Sequence, residues 1–146
     1  MAGIPFNENS PRYDWVLVLG GTNDLGCRTS AETIFNEGLK VIYDMVLQRV
    51  NGTTNLVAMT LLETGYYPPG DIHDRERQKL NEMIRNYVSN CQDQDRICLV
   101  DLDKSIPYHG IKDVKNLWDD MIHLTPAGYD RMATIIFQEI SKEINQ

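Results

Sequence analysis

Cysteine is scarce: Cys27, Cys91 and Cys98 are the only three, and no two stand in a C-x-x-C spacing. An odd count without paired spacing argues against a disulfide framework or a zinc site, and the expected setting is reduced, intracellular and cytoplasmic. Positive charge is short as well, with 14 Lys and Arg against 21 Asp and Glu and a net charge of −7. A nucleic-acid or anionic-membrane partner wants a basic face, so neither is expected. No apolar run approaches the roughly 18 residues of a membrane span. The opening "MAGIPFNENSPR" has neither a basic flank nor an apolar centre and does not read as a signal peptide. Only three histidines occur, His73, His109 and His123, without an H-x-x-x-H spacing, so neither a metal nor another cofactor is expected. Repeats, low-complexity segments and a Pro- or Gly-rich linker are missing too, and residues 1–146 read as a single domain.

What the chain does contain is ordinary for a globular α/β protein, with 42% hydrophobic and 24% charged residues. "DWVLVLG" (14–20) is apolar on both faces, as expected of a strand inside a parallel sheet. A helix from about Ala31 to Val50 follows, opened by a Thr29/Glu32 capping box and carrying Ile34, Phe35, Leu39, Ile42, Met45 and Val46 as its inward stripe. "NLVAMTLL" (55–62) is a second strand and "RICLVDL" (96–102) a third, with Cys98 as a small core residue. Between them a helix from about Asp74 to Cys91 presents Leu80, Met83, Ile84, Tyr87 and Val88 on one face. A short helix near Asp113–Leu117 precedes a last one that starts with Thr125 as N-cap and Pro126 as first residue. It runs to about Ile144, with Met132, Ala133, Ile136, Phe137 and Ile140 expected to face inward. The β-α-β-α-β-α order implies a parallel sheet with right-handed crossovers, whose ligand-facing chemistry lies beyond the carboxyl ends of the strands.

Two stretches stand at such places. "GGTND" ends the first strand and presents Asn23, whose neutral amide suits an oxyanion forming on an acyl carbonyl. "WDDMIHLTPAGYDRMA" sets Asp120 and His123 three residues apart before a helix N-terminus. There the carboxylate can accept a hydrogen bond from the imidazole, fix its tautomer and stabilise the imidazolium formed in proton transfer. Singly, each has a structural alternative: Asn as a turn former, D-x-x-H as helix capping. Asp119 competes with Asp120 as orienter, Asp24 reads as capping the turn after Asn23, and Glu63 as either a loop or a cleft carboxylate. "YYPPG" (66–70) follows a strand end and is read as lining the cleft.

Over roughly Tyr13 to Ile144 the chain resembles the SGNH (GDSL-type) hydrolase superfamily, acyl esterases and lipases on a three-layer α/β/α flavodoxin-like sandwich. "VLGGTNDLG" is similar to the family's third block, which makes Asn23 an oxyanion donor; "DDMIHLTPAGYDRMA" is similar to the fifth, which makes Asp120 orienter and His123 base. The resemblance also implies a nucleophilic Ser in a Gly-Asp-Ser block on an earlier strand and a Gly N–H from a second block. No such motif precedes Tyr13. Ser10, Ser30 and Ser105 lack its context, Ser30 reading as part of a helix start.

The resemblance therefore implies a sheet missing its first two strands and an ester hydrolase inactive or nearly so in this form, since loss of the nucleophile costs on the order of 10⁶ in turnover. In the family's 2-1-3-4-5 strand order, strand 14–20 is central; here it becomes an unprotected apolar edge, which predicts a homodimer through it. The alternatives are a non-catalytic dimeric binding module derived from the family and an unrelated flavodoxin-like binding domain. The latter lacks a phosphate-cradling Gly-rich loop.

Overall fold

The computed structural model describes residues 13–48 and 53–144. Ser10 and the end of the expected first long helix lie outside them. Three parallel strands, β1 (Trp15–Val18), β2 (Asn55–Met59) and β3 (Ile97–Val100), pair in sequence order among the described residues. Val16 sits opposite Leu56, which in turn sits opposite Ile97. β2 is central, and Leu56 through Met59 are buried on both faces, which is why it reads as one continuous apolar run.

Alternation along the strands feeds two cores, one per face. Val16, Val18, Leu56, Ala58 and Ile97 pack under α2 (Ala31–Ile34), α3 (Lys40–Leu47) and α4 (Ile72–Asn90). Trp15, Val57, Met59, Cys98 and Val100 pack under α7 (Pro126–Ile144), with Trp118 and Leu124 from the approach to it. The architecture is thus a three-layer α/β/α sandwich around a parallel sheet. The remaining helices are short: α1 (Thr22–Gly26), α5 (Leu102–Ser105) and α6 (Val114–Leu117). Burial pushes the Cys98 thiol up to about 11, as fits a core position.

Three expectations are corrected. The N-cap of α2 is Ser30, not Thr29: Ser30 Oγ accepts the Thr33 N–H at 3.3 Å, so the cap lies one residue later. The expected long helix is interrupted by a π turn, Phe35–Leu39. A π turn takes one extra residue, so the inward stripe slips by one position downstream of it. Tyr43, Val46 and Leu47 are buried, whereas Ile42 and Met45 are 43% and 47% exposed. On α7 the inward residues are Met132, Ile135, Ile136 and Ile140, while Phe137 is 71% exposed and Ala133 also faces out. Gly128 sets this phase: a Cβ there would lie 2.2 Å from the Leu117 carbonyl oxygen, so the helix can approach α6 only with this residue inward. Positions one helical turn apart from it then follow.

Candidate active site

The chain leaves β1 through Gly20-Gly21. Gly21 has φ +109°, and a Cβ there would meet Ile34 and Leu80 side chains at 3.1 Å. Only glycine combines that conformation with that approach. The reward is a short α1 whose buried Leu25 anchors it and whose Asn23 is exposed at the rim of a cavity. The Asn23 backbone oxygen accepts from Cys27 N at 3.0 Å, while its side-chain amide has no partner among the described residues. Asp24 caps with its backbone, accepting from Thr29 N at 3.0 Å.

A tight reversal between α6 and α7 presents the other pair. Trp118 and Leu124 form an antiparallel bridge, Asp119 N donates to His123 O at 2.9 Å, and Thr125 N donates to Leu117 O at 2.9 Å. Thr125 Oγ1 accepts from Gly128 N at 3.1 Å, as an N-cap ahead of Pro126 should. Buried Trp118 anchors the reversal, donating from Nε1 to Pro107 O at 3.1 Å.

Within this frame Asp120, not Asp119, meets the imidazole. Asp120 Oδ2 lies 2.8 Å from His123 Nδ1, and Oδ1 accepts the Ile122 and His123 backbone N–H groups, both at 2.7 Å. The imidazole contact, then the two amides, hold the Asp120 carboxyl down at about 2 despite its exposure. A carboxylate on Nδ1 makes that nitrogen the N–H of the neutral ring and leaves Nε2 as the proton acceptor. Nε2 has no partner among the described residues, and the ring is largely exposed.

The cavity has a volume of about 280 Å³. Asn23 and Thr22 come from α1; Leu61, Leu62 and Thr64 from the chain leaving β2; Ile122 from the Asp120–His123 reversal. Tyr66 and Tyr67 of the "YYPPG" loop line it as well. The Gly65 N–H donates to Met121 O at 2.7 Å, tying that loop to the reversal. Glu63 proves to be a loop-binding carboxylate, with Oε2 accepting from Tyr108 N at 2.7 Å and His109 N at 2.9 Å. Ser30 and Ser105 are both spent structurally, Ser105 Oγ donating to Asp101 O at 2.8 Å.

Sequence reading had not singled out the α4 side of this wall. Buried Arg77 donates twice to Asp74 Oδ1, at 3.1 and 2.8 Å, once to Leu61 O at 3.2 Å, and to Asp103. His73 stacks on Tyr67 with ring centroids 4.2 Å apart and planes 13° from parallel. The run "DIHDRER" carried a hint, since it places a cap, an imidazole and a charge pair on one turn of an otherwise amphipathic helix.

Among the described residues no group of three or more His, Cys, Asp or Glu is placed to hold a metal ion, and no helix is long and apolar enough to cross a membrane. The chain matches the family model described as GDSL-like lipase/acylhydrolase over residues 3–131. No curated protein matches it. Several solved structures share the fold, two of which follow. One is a protein from Streptococcus pneumonia named for platelet activating factor, with TM-score 0.68 and 18% identity over 86% of this chain and 58% of that one. The other is a GDSL-like lipase from Bacteroides thetaiotaomicron VPI-5482, with TM-score 0.65 and 20% identity over 88% of this chain and 62% of that one. The chain thus spans about three fifths of either relative.

Proposed function

Because the chain belongs to the GDSL-like lipase/acylhydrolase family, we propose that Asn23 at the cavity and the neighbouring Asp120–His123 reversal, whose Ile122 lines it, form the base-and-oxyanion part of an ester hydrolase site. His123 Nε2 takes the proton of an attacking hydroxyl, Asp120 holds the ring and stabilises the imidazolium, and the Asn23 amide donates to the acyl oxyanion. The observation that carries this is the Asp120 carboxylate, which accepts the ring N–H and two backbone N–H groups at 2.7–2.8 Å. A surface carboxylate that merely caps a turn does not need the ring.

The substrate is a small acyl ester, bound where Asn23 and Ile122 approach the apolar cavity. No hydroxyl or thiol among the described residues hydrogen-bonds to His123 Nε2, which supports reading this polypeptide on its own as inactive or nearly so. Short p-nitrophenyl esters test it: background hydrolysis is expected. Ordinary enzyme rates that vanish in His123→Ala would support the site and overturn the inactivity. Ordinary rates unchanged by that substitution would overturn the assignment of His123.

A second reading rests on a different observation. Leu17 and Leu19, on and just past β1, whose outer edge has no strand partner among the described residues, and Val41, Ile42 and Met45 on α3 are all between 41% and 47% exposed. An apolar edge of this kind supports a homodimer joined through β1, in which the domain acts as a binding module. Light scattering at micromolar concentration decides it, a stable monomer being incompatible with the reading.

A further inference from the structure

We propose that His73 is the specificity-determining residue of this cavity, and that the cavity takes an uncharged acyl or alcohol group bearing a hydroxyl or N–H donor. The inference rests on reading the cavity as the ester-binding site and goes further, to what distinguishes one ester from another.

The charged groups on the wall have no charge to spare. Asp74 and Arg77 are 4% and 6% exposed and bonded to each other. Asp74 Oδ2 accepts from Gly70 N at 3.1 Å and Gln78 Nε2 at 2.7 Å, and the Arg77 guanidinium is shared between Asp74, Asp103 and Leu61 O. A carboxylate or phosphate on the ligand would find no free cation here, and an ammonium no free carboxylate. Leu25, Leu61, Leu62, Tyr66 and Ile122 supply mostly carbon. Such a wall selects a neutral ligand.

His73 differs from its neighbours. Asp71 Oδ1 accepts both the His73 backbone N–H, at 2.8 Å, and the ring Nδ1, at 3.1 Å. Tyr67 covers one ring face. The imidazole is therefore fixed in position by one contact and in plane by the other, before any ligand arrives. With Nδ1 donating, Nε2 of the neutral ring carries a lone pair. Nε2 has no partner among the described residues, in a residue that lines the cavity. A preorganised acceptor in an apolar wall rewards a ligand that brings a donor and penalises one that leaves it dry and unpaired.

The test uses two ketones that replace an ester oxygen by CH₂ and are not hydrolysed, 4-heptanone and 2-hydroxy-4-heptanone. Their binding to the full chain is followed by amide ¹H–¹⁵N shifts of Thr64, Tyr67 and His73. The hydroxylated probe is expected to bind about five-fold more tightly, the worth of one neutral hydrogen bond. His73→Phe keeps a ring against Tyr67 and should abolish the preference; His73→Gln, which retains an acceptor, should restore part of it. Equal binding of the two probes by the native chain, or a preference that survives His73→Phe, overturns the role of His73 while leaving the cavity as a ligand site. Failure of both probes to shift any cavity signal overturns the reading of the cavity itself and the inference with it.

Discussion

Asn81 on α4 replaces a missing strand neighbour for Leu61: its Oδ1 accepts the Leu61 N–H at 2.7 Å, and its Nδ2 donates to the Leu61 carbonyl at 2.9 Å. β2 has ended at Met59, so two residues later the buried N–H would otherwise be unsatisfied and the carbonyl left with Arg77 Nη1 alone, at 3.2 Å. A side-chain amide reproduces the donor–acceptor pair of a peptide and carries the strand's direction onward to the cavity wall. Asn81→Ala should cost about 1–3 kcal/mol, since the buried Leu61 N–H loses its partner and the carbonyl keeps only Arg77. Urea unfolding measures it; a loss under 1 kcal/mol would mean that water reaches Leu61.

The Asp120–His123 contact has a titration signature. Asp120 is held at about 2, first by the imidazole and then by two backbone amides. A carboxyl depressed in the folded state contributes stability above its unfolded value, near 3.9, and loses it as pH falls through the folded value. The contribution should therefore fade between about pH 4 and pH 2 and be constant above. Carboxyl ¹³C shifts should show Asp120 ionised well below pH 3. In His123→Ala the midpoint should rise toward the ordinary carboxylate range, and a midpoint that does not move would show the backbone amides to be sufficient.

Gly21 makes the oxyanion-side prediction. Gly21→Ala imposes both a left-handed residue and contacts of 3.1 Å with Ile34 and Leu80. A cost of about 2–4 kcal/mol follows from the two penalties together. Gly38→Ala is the control, because nothing lies within 4 Å of its added methyl, and it should be neutral or slightly stabilising. Thermal melts of the two variants should separate by several degrees.

If β1 edges pair, Leu17→Lys should dissociate the dimer without unfolding the monomer, because Leu17 is 46% exposed in the single chain. Sedimentation velocity gives the answer directly. A charge on an edge strand blocks pairing by placing a solvated ammonium where the neighbour must lie. An unchanged dimer would move the interface to another surface.

Much of this architecture was legible in the sequence because it depends on local pattern. β2 reads as a run apolar on both faces since it is central; α4 reads as amphipathic since one side of it meets the sheet; Thr125-Pro126 reads as a helix start since capping is a nearest-neighbour affair. The Asp120–His123 contact was legible for the same reason, being closed within three residues. Apart from the one-residue shift of the α2 cap and the π turn in the first long helix, the misses are long-range. Phe137 points outward because Gly128 touches Leu117, a contact that no hydropathy pattern encodes. The stack of Tyr67 on His73 depends on how the loop after β2 folds onto α4, and the saturation of Arg77 on Asp103, twenty-six residues away. The carbon-rich cavity arises where these pieces converge, so its wall was visible only in the Tyr66-Tyr67 pair.

The π turn at Phe35–Leu39 makes the outer surface of α3 a matter of counting. Each residue advances a helix by about 100°. Regular α winding of the same residues through that turn would rotate everything after it by this angle, carrying Ile42 and Met45 inward and Tyr43 outward. Identical amino acids would then present a different skin. A change between π and α winding at this turn would thus exchange one outer surface for another with no change of residue type.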